Sequence, residues 1–131
     1  MKIENTINKW HQLLEQQQLQ ILDDILSEDV VFHSPVLHTP QKGKILTKMY
    51  LSAAYHILSQ QEFTYVREVL QDNQACLEFQ TEIEGIVING VDLIQCDDSG
   101  KITDFKVMIR PLKGLQKLQE KMFELLEKSK Q

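Results

Sequence analysis

The chain has 131 residues, 42% of them hydrophobic and 25% charged, with only five Gly and three Pro, which is the composition of one globular domain with a genuine core. A net charge of −5 argues against nucleic acid as a partner, since phosphate binding needs a basic surface. No apolar run approaches the about 18 residues of a membrane span, so no membrane association is expected.

The opening stretch, MKIENTINKW, lacks the charged, apolar and small-residue sequence of a secretory signal. Cys76 and Cys96 each sit in a strand-like stretch without metal-ligand spacing, so free thiols in the reducing cytoplasm are expected. Along the first segment, IENTINKWHQLLEQ, Ile7, Trp10 and Leu14 recur at helical spacing, with Leu13 beside them. After the polar QQQ, Leu19, Leu22, Ile25 and Leu26 predict a second helix or a kinked continuation. Ser27-Glu28-Asp29 breaks that pattern, and Val30 to His33 reads as a short strand. Pro35 and Pro40 make the following stretch a loop.

From about Gly43 the helical period returns, with Leu46, Met49, Tyr50, Ala53 and Ile57 as the expected apolar stripe. Residues 62–71 are rich in aromatic and β-branched types and predict a strand, closed by an Asp72-Asn73 turn. Residues 75–83 alternate, with Ala75, Leu77, Phe79, Thr81 and Ile83 on one face and Cys76, Glu78, Gln80 and Glu82 on the other. GIVINGVDLIQC is a long strand or a bulged pair, and Asp97 to Gly100 a hairpin turn. KITDFKVMIR is the last strand, with Phe105, Val107 and Ile109 together. A final helix after Pro111 carries Leu112, Leu115, Leu118, Met122 and Leu125, with Lys113, Lys117 and Lys121 on its solvated side. Helices followed by a run of antiparallel strands predict an α+β fold, in which a curved sheet wraps a helix and encloses a cavity.

The Trp-bearing first helix, LSEDVVFHSP, the Gly-Lys helix start and GVDLIQCDDSGKITDFKVMIRPL together resemble the nuclear transport factor 2-like superfamily, close to its SnoaL-like polyketide cyclase branch. The resemblance spans nearly the whole chain. It implies a cone of curved antiparallel sheet around helices (the cystatin-like arrangement), an apolar pocket, no cofactor, and a homodimer. Members include isomerases, cyclases, dehydratases and pure binding domains, so the residues must be tested singly. Against the ketosteroid isomerase pattern of an Asp base, a Tyr and a protonated Asp, the Tyr position falls on Trp10, the base on Ser34 and the protonated Asp on Asp92. One of three survives. A SnoaL-like cyclase relies on a pocket carboxylate, and Asp92 with His33 is compatible with that.

The candidate catalytic residues are therefore Asp92, as acid or oxyanion donor, and His33, as a base at the pocket mouth. If Asp92 shares a face with Ile94, it enters the apolar interior, where desolvation raises its pKa. A structural Asp bonded to backbone or to Trp10 fits the sequence equally well. Candidate ligand-binding residues are Trp10, Tyr50, Phe79, Phe105 and Val107, and Tyr65 is either core or pocket lining. His38 reads as a loop residue, and His11 and His56 as surface or helix-packing residues. Their spacings give no metal site. Arg110 is expected on the outer sheet face, paired with Glu82 or Glu84. That face also holds Val91, Leu93 and Met108, which predicts a two-fold dimer through it. The expected function is binding of a small, largely apolar molecule, with acid/base chemistry of isomerase, cyclase or hydratase type. The alternative is a non-catalytic ligand-binding or dimerisation module.

Overall fold

The structure, a computed structural model, describes residues 2–129. Its elements are α1 (Lys2–Gln16), α2 (Ile21–Ile25), β1 (Leu26–His33), β2 (Gln41–Lys42), α3 (Lys44–Leu58), β3 (Thr64–Gln71), β4 (Gln74–Ile83), β5 (Ile86–Cys96), β6 (Ile102–Arg110) and α4 (Leu112–Ser129). The strands form one curved six-stranded sheet in the order β2-β1-β6-β5-β4-β3. β1 runs parallel to β6, and every other neighbouring pair is antiparallel. The edge strands β2 and β3 do not meet, so the sheet stays open. This is the α+β architecture expected from the element order.

The β4–β5 hairpin is the backbone of the sheet. Its ten cross-strand pairs run unbroken from Gln74↔Gln95 to Ile83↔Ile86, so GIVINGVDLIQC contains one continuous strand rather than a bulged pair. The two-residue turn Glu84-Gly85 has positive φ at both positions, 49° and 83°, the backbone that a right-twisted hairpin requires. Alternation in β4 is as read: Ala75, Leu77, Phe79, Thr81 and Ile83 are buried. In β5 the same parity sends Ile88, Asp92, Ile94 and Cys96 inward. Cys96 is buried and Cys76 half-buried on the outer face, and neither is in a disulfide.

Four readings are corrected. The first strand starts at Leu26, not Val30, because Leu26 and Val30 both point inward while Ser27 to Asp29 bulge outward between them. On α3 the buried face is Thr47, Leu51, Ala54, Tyr55 and Leu58, with Ile57 also buried, whereas Leu46 and Met49 are exposed. The helix is apolar on most sides, so its sequence allows more than one stripe. Packing against the sheet chose the one holding Tyr55. On α4, Leu118 and Met122 are buried but Leu112 is exposed. Lys117 and Lys121 close on Glu84, so the Glu84 partner is α4 rather than Arg110.

The core lies between the inner sheet face and the helices. Ile3, Ile7, Trp10 and Leu13 of α1 pack with Leu22, Phe32, Leu51, Leu58, Phe79 and Phe105. Each of these large apolar side chains contributes about 1.5–3 kcal/mol by leaving water. Among the described residues no helix is long and apolar enough to cross a membrane.

Candidate functional site: a buried carboxyl between two tyrosines

Asp92 has no exposed surface, although an isolated buried carboxylate is among the costliest groups to place in a core. Its partners come from elements far apart in sequence. The Tyr55 hydroxyl, on α3, donates to Asp92 Oδ1. The Tyr65 hydroxyl, on the edge strand β3, donates to Oδ2 at 2.5 Å. Trp10 of α1 donates its indole N–H to the Tyr65 oxygen at 2.7 Å, extending the chain to a fourth group. Both carboxylate oxygens are thus occupied, and the sole tryptophan of the chain reports on the network.

Aromatic rings enclose these polar atoms. Trp10 meets Tyr55 edge-on at 5.0 Å and Phe105 at 5.2 Å. Phe63 stacks on Phe79 at 5.0 Å and stands edge-on to Tyr65 at 5.1 Å. In this setting burial raises the Asp92 pKa to about 7, opposed by the hydrogen bonds from Tyr55 and Tyr65. Burial, and next the Asp92 charge, hold both tyrosines well above their usual range. The tyrosines therefore remain donors while Asp92 changes protonation near neutral pH. A group with that midpoint can give or take a proton without a metal.

The structure distributes the sequence candidates as follows. Trp10, Phe79, Phe105 and Val107 share the interior with Asp92, all of them buried. Tyr50 is half-buried against the rim of the core, and Tyr55, five residues on, reaches the carboxyl instead. Tyr65 belongs to the network. Neither Tyr55 nor Phe63 stands out in the sequence, although Tyr55 falls on the stripe that starts at Thr47 and runs through Leu51.

His33 does not reach Asp92. It is half-exposed beside inward-facing Phe32, and its Nε2 lies 2.9 Å from Asp104 Oδ1. In the register His33 aligns with Lys106, whereas Asp92 aligns with Val107, the next residue, whose side chain is on the other face. The strand VVFH has no alternation to show its parity, and the structure turns His33 to the outer face rather than to the pocket. Ser34 is buried, and its hydroxyl accepts the Val36 N–H at 3.2 Å in a local turn. His38 and His56 are exposed. A cleft of about 390 Å³ between the end of α1 and α3, lined in part by Leu13, Leu14, Ser52, Tyr55 and Ser59, brings the surface to one side of Tyr55.

A protein from Pseudomonas aeruginosa described as a steroid delta-isomerase has the same fold with a TM-score of 0.93. It is 33% identical over 98% of this chain and 94% of its own. A Mesorhizobium loti protein of unknown function described as NTF2-like, 14% identical, superposes with a TM-score of 0.74 over 84% of this chain and 92% of its own. The chain belongs to the nuclear transport factor 2-like superfamily. The resemblance carried by LSEDVVFHSP and GVDLIQCDDSGKI is borne out. A Silicibacter pomeroyi protein described as having a cystatin-like fold is 27% identical over 93% of this chain and 85% of its own, with a TM-score of 0.85. No family model and no curated protein matches the sequence. The isomerase-type neighbour fits an isomerase-like or ligand-binding role within the superfamily.

Proposed function

We propose that this protein binds a small, largely apolar molecule in its cone, with a ligand oxygen received at the Asp92–Tyr55–Tyr65 network. Asp92 then acts as the proton donor or acceptor of a cofactor-free isomerisation, cyclisation or hydration. The observation that carries this reading is the buried carboxyl held by two tyrosine hydroxyls, with a midpoint of about 7. When Asp92 is protonated it no longer requires both hydroxyls, and a tyrosine can turn its O–H to a ligand oxygen. Tyr55 is placed for this, because it touches both Asp92 and the cleft between α1 and α3. Trp10, Phe79, Phe105 and Val107 would supply the apolar contact. The Pseudomonas protein described as a steroid delta-isomerase supports the same class of chemistry.

The second reading, a non-catalytic binding module, is favoured by Ser34. It stands where the isomerase pattern has its base, and its hydroxyl is engaged by Val36. Titrating Trp10 fluorescence with a naphthol and with a β,γ-unsaturated cyclic ketone separates the readings. The proposal expects saturable quenching, weakened about tenfold in Tyr55→Phe by loss of one hydrogen bond. It also expects incorporation of solvent deuterium into the ketone that Asp92→Asn abolishes. Binding without deuterium incorporation supports the module, and no binding of either probe removes the ligand site.

We also propose a homodimer through the outer sheet face, where Val66, Val69, Val87 and Met108 are about half exposed. Val91 and Leu93 lie among them. Sedimentation at micromolar concentration giving a monomer would remove this. That neither cysteine is in a disulfide supports the reducing cytoplasm as the place of work.

A further inference from the structure

His11 follows Trp10 on α1, and one helical step turns a side chain by about 100°. Trp10 therefore faces the core while His11 faces the edge strand β3. There its ring lies 5.6 Å from the ring of Tyr65, tilted by 46°. Its Nε2 stands 2.6 Å from Glu68 Oε1, a close contact without hydrogen-bond alignment. Glu68 is there because β3 is irregular. Tyr65 aligns with inward-facing Phe79, and Glu68 with inward-facing Leu77, so residues three apart share one face across the register shift at Val66. In a regular strand, residues three apart point to opposite faces.

We infer that His11 and Glu68 form a clamp that positions the Tyr65 hydroxyl on Asp92. Tyr65 sits on a strand with one free edge, and most of β3 is exposed. A hydroxyl on such a strand needs restraint, because a hydrogen bond weakens steeply with small changes in angle and distance. Trp10 restrains only the phenolic oxygen. The imidazole covers the ring, and the Glu68 contact ties the strand itself to α1. His11 and Glu68 touch neither Asp92 nor any reacting atom and are positioning residues. Their side chains are 31% and 30% exposed, so the pair contributes little to stability by itself, and the neutral variants are expected to fold. The inference rests on the reading of Asp92 as the working group.

The test is the Asp92 midpoint, followed by NMR of protein carrying ¹³C-labelled aspartate and assigned with Asp92→Asn. Tyr65→Phe removes a donor to the carboxylate and should raise the midpoint by about one unit. Displacing that donor part of the time, His11→Gln and Glu68→Gln should each raise it by roughly 0.3–0.5 unit. The shared sign is decisive. A purely electrostatic influence of Glu68 would lower the midpoint when that anion is removed. A lowered or unchanged midpoint in Glu68→Gln, with Tyr65→Phe still raising it, overturns the clamp and leaves the network standing. If Tyr65→Phe itself has no effect, the clamp falls together with the network.

Discussion

Replacing Asp92 by Asn tests the central feature of this structure through stability alone. Burial raises the carboxyl from 3.8 to about 7. With the folded value above the unfolded one, the folded state holds its proton over a range where the unfolded chain has lost it. The Asp92 contribution is then fully present below pH 3.8, falls as pH rises toward about 7, and is flat above that. At 1.36 kcal/mol per unit, the loss across this window is about 4 kcal/mol. Asp92 has no exposed surface, so no solvent screening reduces the figure. Asn keeps the shape and cannot ionise, but it presents one acceptor where two hydroxyls donate. Tyr65 already accepts from Trp10 and would lose its own acceptor, at a cost of about 1–3 kcal/mol at every pH. The variant should therefore be less stable than wild type near pH 4 and more stable at pH 8. Urea unfolding followed by Trp10 fluorescence at half-unit pH steps measures the crossing. A stability difference that stays constant from pH 4 to 8 would refute the reasoning, since the carboxyl would then be ionised throughout.

Tyr55→Phe should raise the Asp92 midpoint above 7 and destabilise the fold by about 1.5–3 kcal/mol at pH 8, where the donor meets a charge, and by less at pH 5. Urea midpoints at the two pH values check this. His33→Ala should leave the Asp92 midpoint where it is, and cost under about 1 kcal/mol, because the His33–Asp104 pair is partly exposed on the opposite sheet face. The same ¹³C titration decides it. Gly90→Ala should destabilise by about 1–3 kcal/mol or more, because a Cβ there would lie 2.5 Å from Phe79 Cζ and 2.6 Å from the Met108 carbonyl oxygen. A thermal melt within a degree of wild type would show that the β5 backbone yields more easily than the packing implies.

Local pattern was enough for much of this molecule. The strict alternation of residues 75–83 set the parity of β4, and the apolar–Asp–apolar run around Asp92 placed that carboxyl inside with Ile94. The Trp10 stripe set the inward face of α1, and the order of helices and strands set the fold class. These features depend on periods of 2 and 3.6 that a sequence displays directly. Where the period was blurred, the reading failed. VVFH does not alternate, so it does not show the face of His33, and α3 is apolar on most sides, so its sequence points to Tyr50 and does not mark Tyr55.

The site itself is a product of tertiary structure. Trp10, Tyr55, Tyr65 and Asp92 come from four elements, and only the pairing of β3 with β4 and β5, under α1 and α3, brings them together. The irregularity at Val66 that turns Glu68 toward His11 has no local marker either. The sequence by itself determined which side chains seek the interior, because hydrophobic burial follows periodicity within one element. Which polar groups share that interior depends on distances between elements, and those arise only when the chain packs.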